Sequence, residues 1–439
     1  MASTTSTSKP FSLAIVGGGI SGLTLAITLL QYDVPLTIYE AASSFGEIGA
    51  GVAFGPNAGR AMELMSRKIY DAFMKCKTGN VWEAHHNSWF TIRVGDARKA
   101  GKDGYVKEGE KVGDALFEIP LTSGGGRGGV YRAHFLDELV KDVPEGVAKF
   151  NKRLVELNEA QDGSGDMVLH FADGTTAQHS AVIGCDGIKS KTRTWLLGKD
   201  DHAARAVFSG KYAYRGLIPM DEAVELLGEE VAQNSQLFLG YYGHLLTFPI
   251  QHGKTMNVVA FSSRDTWNDD KWVVATSKEQ MEADFAEWGP HVQKIVGAMQ
   301  KPDIWALFNH LPCSTYTKGR VCLLGDAAHA TTPHQGAGAG MCIEDSYILA
   351  NLVKEASRVE ELEKAFFAFD AVRRERTQKL VKTSKEAGML YDFELLGDDL
   401  DTIQDNLLNR MGWIWNVDLE KQLNQAKKIF FSEDKTRII

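Results

Sequence analysis

Cysteine is scarce in this chain of 439 residues: there are five, at Cys76, Cys185, Cys313, Cys322 and Cys342. An odd and widely scattered set offers neither metal-ligand spacing nor a disulfide framework, and it points to a reducing, cytoplasmic setting. Excess basic charge is missing too. Lys and Arg number 48 against 57 Asp and Glu, a net charge of −9. With no basic stripe or block, nucleic acid and anionic membrane surfaces are excluded as partners. A membrane span is also lacking. Phe11 to Leu30 is nearly uncharged and long enough to cross a bilayer, but Gly17, Gly18, Gly19 and Gly22 interrupt it. Met1 to Pro10 is small and polar, without the basic start and apolar run of a secretory signal, and reads as a disordered tail. No internal repeat or long low-complexity segment is found.

What the chain does contain is a β-α-β unit at its start. Ser12 to Val16 is a short apolar run ended by glycines, Ile20 to Leu30 carries a helical pattern, and Pro35 to Glu40 reads as a second strand. The turn between them, Gly17-Gly18-Gly19-Ile20-Ser21-Gly22, fits G-x-G-x-x-G. Gly17 permits a tight turn, Gly19 lets backbone amides approach a pyrophosphate, and Gly22 allows the helix to pack closely on the strand. The helix N-terminus adds partial positive charge. Glu40 ends the second strand, where an acid takes ribose hydroxyls. This spacing by itself does not separate FAD from NAD.

Two further buried strands followed by turns are expected, at Ala181 to Cys185 and Arg320 to Leu324. A nucleotide domain assembled from separated pieces follows: 1–75, 128–200 and 313–360. Residues 203 to 265 change character. Lys211 to Ile218, Gln236 to Gly240, His244 to Ile250 and Met256 to Ser262 alternate like antiparallel strands, so 76–127 and 201–312 are assigned to a substrate-binding layer. From Ser346 to about Met389 the apolar spacing is helical, opening a C-terminal helical region over 361–439. The fold class is α/β: a Rossmann-like FAD-binding domain, a mixed or antiparallel β-sheet substrate domain and a C-terminal helical region. A second G-x-G-x-x-G, Gly124 to Gly129, has neither a preceding apolar strand nor a following amphipathic helix. It reads as a flexible loop, leaving no separate NAD(P)H domain.

Family resemblance supplies what spacing does not. Gly325-Asp326-Ala327-Ala328-His329-Ala330, after an apolar strand, resembles the second FAD motif of single-component flavin aromatic hydroxylases. Ile183 to Arg193, with Cys185 where Ala is usual, resembles their middle motif. Gly49 to Ala58 resembles the loop passing beside the flavin, and Arg132 in Tyr131-Arg132-Ala133-His134-Phe135-Leu136 resembles the arginine that reaches the cofactor. Pro333-His334-Gln335-Gly336-Ala337-Gly338-Ala339-Gly340 with Ile343-Glu344-Asp345 resembles the salicylate hydroxylases and the fungal hydroxylases of polyketide phenols. The resemblance implies FAD, with NADH or NADPH and O2 as co-substrates. Its cofactor-binding set here is Gly17, Gly19, Gly22, Glu40, Gly51, Ala53, Arg132, Asp186, Asp326, Pro333, Gly336, Gly338 and Ala339.

Such chemistry needs water excluded and a phenol held near ionisation. The cofactor carries the oxidising step, which accounts for the lack of a metal cluster or nucleophile triad in the sequence. Arg215, in Lys211 to Ile218, lies on the strand face opposite Tyr212 and Tyr214. A fixed charge there would lower a phenol's pKa, and the resemblance places an arginine at this point in dearomatising members. Their partner tyrosine in a following strand corresponds here to Phe248, so the second hydroxyl is sought at Tyr131, Tyr241 or Tyr242. His329 and His334 are read as helix-capping or backbone-bonded residues, with a proton relay as the alternative. The expected activity is NAD(P)H- and O2-dependent hydroxylation of a small phenolic substrate, with decarboxylation or dearomatisation, by a monomer or homodimer. A flavin oxidase or dehydrogenase, and a non-catalytic flavin-binding regulatory protein, are the competing readings.

Overall fold

A computed structural model describes residues 9–46, 51–121, 128–300 and 303–432. Part of the expected N-terminal tail, Gly49 and Ala50 of the flavin loop, and Gly124 to Arg127 of the second glycine run lie outside these residues.

Leu13–Val16 is buried at every position, as a strand flanked on both sides must be. It pairs in parallel with Leu36–Tyr39 on one side and Ala181–Gly184 on the other. Between the first two runs the helix Ile20–Leu30 buries all its residues except Ser21 and Leu30. The sheet continues outward through Val321–Leu323 to Thr317–Lys318 on one flank and to Ala148–Lys149 on the other. Its six strands therefore come from across the chain, and only the Thr317–Lys318 edge runs antiparallel.

The second sheet has eight strands. In spatial order they are Val273–Ala275, Asp303–Asn309, Val207–Pro219, Thr255–Ser263, Gly243–Ile250, Gln236–Gly240, Ser88–Val94 and Ala115–Pro120. All pairings are antiparallel except that of Gln236–Gly240 with Ser88–Val94. One face packs on the helices Met220–Leu227 and Pro290–Ala298 through a core containing Tyr214, Phe285 and Trp288. The other face, with Ala213, Leu237, Leu246, Phe248 and Phe261, meets the C-terminal helices.

Two elements differ from expectation. Gly128 and Gly129 are not loop: Gly128–Tyr131 forms a strand paired antiparallel with Gly51–Phe54. A side chain at Gly129 would stand 2.8 Å from the Phe248 ring, so the glycines are there for close approach, a cause that local pattern does not reveal. Likewise the C-terminal helix starts at Gly338, not Ser346. Its opening glycines disfavour helix intrinsically, yet Gly340 packs against Ala58, and burial outweighs propensity. A small three-stranded sheet, Leu154–Glu159, Met167–Phe171 and Thr176–His179, had no expectation at all. Among the described residues, no helix is long and apolar enough to cross a membrane.

Candidate active site

Three backbone features converge at the C-terminal ends of the parallel strands, where open α/β sheets bind nucleotides. Gly17 has φ +105°, and a Cβ on it would lie 2.4 Å from the Cys185 carbonyl oxygen. Gly22 would meet the Gly17 carbonyl at 2.0 Å. Both must be glycine. Gly19 differs: the nearest atom to a Cβ there is Nη2 of Arg132, at 3.9 Å. It caps the helix Ile20–Leu30 without a side-chain hydrogen bond, and the first turn carries no acid. Uncapped amides beside a guanidinium form an anion cradle, the arrangement a pyrophosphate requires. Glu40 accepts from the Gly18 amide at 2.7 Å and from the Ala42 amide at 2.7 Å, which fixes the carboxylate beside the glycine turn.

Gly325, at φ +62°, presses on Ser21 of that same turn, so Asp326 opens the short helix Asp326–His329 next to the cradle, exposed. Arg193 sits fully buried beneath it and donates to the carbonyls of Ala203, Ala327 and Ala328. Asp186 is turned elsewhere. Its carboxylate accepts from Ser190 Oγ and from the Lys191 and Thr192 amides, locking its own turn instead of reaching the glycine loop.

The third feature is Pro333–Gln335, a turn of 3₁₀ helix, followed by Gly336 in the left-handed region at φ +59°. Gly336 faces Trp89 and Ala53. The helix Gly338–Glu355 begins at Ala337, again with no side-chain cap and no acid in its first turn, so the amides near Gly338 and Ala339 are a second site for negative charge. The segment Gly51–Phe54 and the turn at Gly336 thus lie against each other, a Cβ on Gly336 standing 3.6 Å from that of Ala53. The set fits an FAD molecule: Gly19 and Arg132 would hold its phosphates and Glu40 its ribose, with the ring beside the Gly336 turn.

Behind the turn lies a buried charge system. His329 Nε2 meets Asp345, and Arg373 donates to Asp345 at 2.7 Å and to Glu344 at 2.7 Å. Asn57 and Arg376 complete the Glu344 carboxylate. Burial pushes Asp345 up, but His329 and Arg373 outweigh it and hold the carboxyl below its ordinary value. The His329 side chain therefore bonds Asp345 and is neither a cap nor backbone-bonded. His334 departs from expectation too. Its Nδ1 lies 3.1 Å from His244 Nε2, and His244 Nδ1 lies 2.6 Å from Asp392.

The eight-stranded sheet presents its inner face to this region. Strand register places three rows across it: Ala213, Phe261 and His244; then Arg215, Val259 and Leu246; then Leu217, Asn257 and Phe248. The first row is covered by His334 and Tyr391 against His244. In the third, the glycine ribbon covers Asn257 and Phe248, since Gly51 donates to Asn257 and abuts Phe248. The middle row, carrying Arg215, lies between these covers. Arg215 stacks on Trp305, its guanidinium carbon 4.7 Å from the ring centroid, while Tyr212 and Tyr214 bond Asp284 on the opposite face. Of the three candidate tyrosines, Tyr131 alone belongs to this region, paired with Gly51. Tyr241 bonds Asp398 and packs on Phe393 at the hairpin end. Tyr242 is 64% exposed in the turn, with φ 60°. Neither reaches the middle row. The residues that the sequence did not offer are Trp305, His244 and Asp392, which only pairing across strands and helix docking bring in.

The sequence profile of the FAD binding domain family matches residues 135–384. The chain belongs to the FAD-dependent aromatic hydroxylases. It is 41% identical to the 6-methylsalicylate 1-monooxygenase of Aspergillus terreus over 428 residues, covering 96% of this chain and 93% of that one. It is 38% identical to a salicylate hydroxylase of Pseudomonas putida, covering 94% of each. Among solved structures it superposes on a salicylate hydroxylase substrate complex with a TM-score of 0.81 and 32% identity, covering 95% of this chain and 98% of that one. This hydroxylase is therefore an enzyme, an FAD-dependent monooxygenase that uses NAD(P)H and O2. The oxidase and regulatory readings are set aside.

Proposed function

We propose that this monooxygenase hydroxylates a substituted phenol of the salicylate type, releasing the ring carboxylate as CO2. The observation that carries this reading is Arg215 in the middle row of the sheet face, between the glycine ribbon and the His334 turn. A guanidinium stacked on Trp305 is a fixed, partly desolvated cation, suited to a phenolate or an ortho-carboxylate. It lowers the pKa of a phenol beside it, and an ionised phenol is the more electron-rich ring. Val259 and Leu246 supply the apolar floor on which that ring lies. Bound FAD, once reduced by NAD(P)H, supplies the oxygen-activating chemistry. The substrates for which the relatives are named, 6-methylsalicylate and salicylate, support the ortho-carboxylated class. So does Phe248, which puts no hydroxyl where the resemblance to dearomatising members calls for a tyrosine.

The test is a panel of phenols and salicylates assayed for NAD(P)H oxidation, with mass spectrometry of products and measurement of CO2. The expected result is substrate-stimulated oxidation that yields a catechol and one CO2 per NAD(P)H consumed. Stimulation by phenols that lack a carboxylate, with a dearomatised product and no CO2, would replace the decarboxylating reading with the dearomatising one.

A further inference from the structure

A chain of ionisable groups runs from the flavin-side turn to the protein edge, and the flavin site does not account for it. It begins at His334, 5% exposed, passes to His244, fully buried, and then to Asp392, 1% exposed. Lys211, also buried, forms a salt bridge with Asp392 and a second, at 2.7 Å, with Glu394. Ser263 Oγ bridges the two carboxylates at 3.5 Å and 3.4 Å. Glu394 alone is substantially exposed, its side chain at 26%. Burial lowers the pKa of both histidines, His334 further than His244 because His244 and Lys211 also disfavour its charge. Tyr391 closes the set, donating to the His334 carbonyl.

Both histidines are therefore neutral at pH 7, and hydrogen-bond directions are then fixed by counting protons. Asp392, in a salt bridge with Lys211, presents acceptor oxygens to His244, so His244 must donate from Nδ1. A neutral His244 then carries no proton on Nε2, which accepts. His334 must donate from Nδ1 to it, and Nε2 of His334 is left bare. Each tautomer follows from the Asp392 carboxylate, directly for His244 and through His244 for His334.

We propose that Asp392, held by Lys211, is a positioning residue that sets the tautomers of the His244–His334 pair and makes His334 Nε2 the inner end of a proton outlet. A proton arriving at His334 Nε2 displaces the one on Nδ1 to His244 Nε2. The His244 Nδ1 proton then passes to Asp392, and Ser263 connects that carboxyl to Glu394 and solvent. Every bond formed is matched by one broken and no electrons move. The proton comes from the phenol as it ionises, so the role rests on the phenol reading above.

The helix Glu361–Tyr391 accommodates the arrangement with a glycine. A Cβ on Gly388 would stand 2.5 Å from Cδ2 and 2.7 Å from Nε2 of His334. Glycine inside a helix is otherwise unfavourable.

The test reads tautomers directly, by nitrogen-15 NMR of FAD-loaded enzyme labelled at histidine. It is combined with the pH profile of salicylate-stimulated NAD(P)H oxidation. Wild type should show Nδ1–H tautomers at both His244 and His334. Asp392→Asn should convert His244 to the opposite tautomer or a mixture. Turnover should drop about 100-fold, the lower end of a general acid–base contribution, with a displaced pH profile and unaltered FAD content. If Asp392→Asn does not fold because Lys211 is left unpaired, Lys211→Met with Asp392→Asn removes both charges and should show the same tautomer change. An Nε2–H tautomer at His244 in wild type, or unchanged tautomers and pH profile in the variants, would overturn the proposal. Wild-type enzyme that shows the expected tautomers but oxidises no phenol would instead sink the substrate reading and leave the tautomer assignment standing.

Discussion

Gly388 and His334 occupy one space: the position a Cβ would take on the glycine is 2.5 Å from the imidazole of the histidine. Replacing glycine by alanine inside a helix ordinarily stabilises by about 0.5–1 kcal/mol. Here the sign should reverse. Overpacking costs about 1–3 kcal/mol, and His334, fixed at 3.1 Å from His244, cannot retreat without breaking that bond. Gly388→Ala should lower the melting temperature of FAD-loaded enzyme. An unchanged or raised value would show that the histidine has room to move.

Arg215→Gln should leave FAD bound and reduce hydroxylation about ten- to a hundredfold, the worth of one charge-assisted hydrogen bond at roughly 1.5–3 kcal/mol. The loss should shrink at high pH, where the phenol ionises unaided. Arg215→Lys should recover only part of the rate, since an ammonium does not reproduce the planar stack on Trp305. Product formed per flavin-loaded enzyme, across the substrate's phenol pKa, checks this. A wild-type pH profile in Arg215→Gln would assign the arginine a structural role.

Asp326→Ala should yield folded protein depleted of flavin. Asp326 is exposed at the start of its short helix, so its loss removes a cofactor contact without disturbing the core. The ratio of flavin to protein absorbance in the purified variant is the measurement. Full occupancy would remove Asp326 from the cofactor site. Flavin released from wild type by acid precipitation should be complete, as non-covalent binding requires.

Arg373→Leu should be costly. Glu344, Asp345 and Arg373 are all fully buried, and removing the cation takes one partner from each acid, leaving Arg376 on Glu344 and His329 on Asp345. Breaking a buried pair in this way costs about 3–5 kcal/mol. In wild type both acids have depressed pKa values. Their contribution to stability is thus present above the ordinary carboxylate range, near pH 4, and is lost as pH falls through the folded value. Without Arg373, the Asp345 carboxyl loses one of the two groups that hold it down against burial, so its folded value moves up and protonation costs less. The stability deficit of the variant against wild type should therefore narrow from pH 8 to pH 5. Denaturant unfolding at several pH values tests this, and a deficit that widens on acidification would refute it.

Local sequence determined the parts of this enzyme whose physics is local. The glycines at 17, 19 and 22 lie within a few residues of the strand and helix they join, so their spacing together with those flanks specifies a phosphate turn. Arg215 was assignable to the face opposite Tyr212 and Tyr214 because side chains alternate in a strand. What stands across from Arg215 was not legible. Trp305 reaches it from a strand ninety residues later, and the pairing of Val207–Pro219 with Asp303–Asn309 is set by burial over the whole sheet. That the Asp186 carboxylate bonds within its own turn was not legible either. His334 was recognised beside the flavin motif, but its partners His244 and Asp392 lie 90 and 58 residues away in sequence. Only the docking of the long C-terminal helix on the second sheet brings them together. Hydrogen bonds between distant segments have no periodicity for a sequence to display, so tertiary packing alone decided which histidine carries which proton.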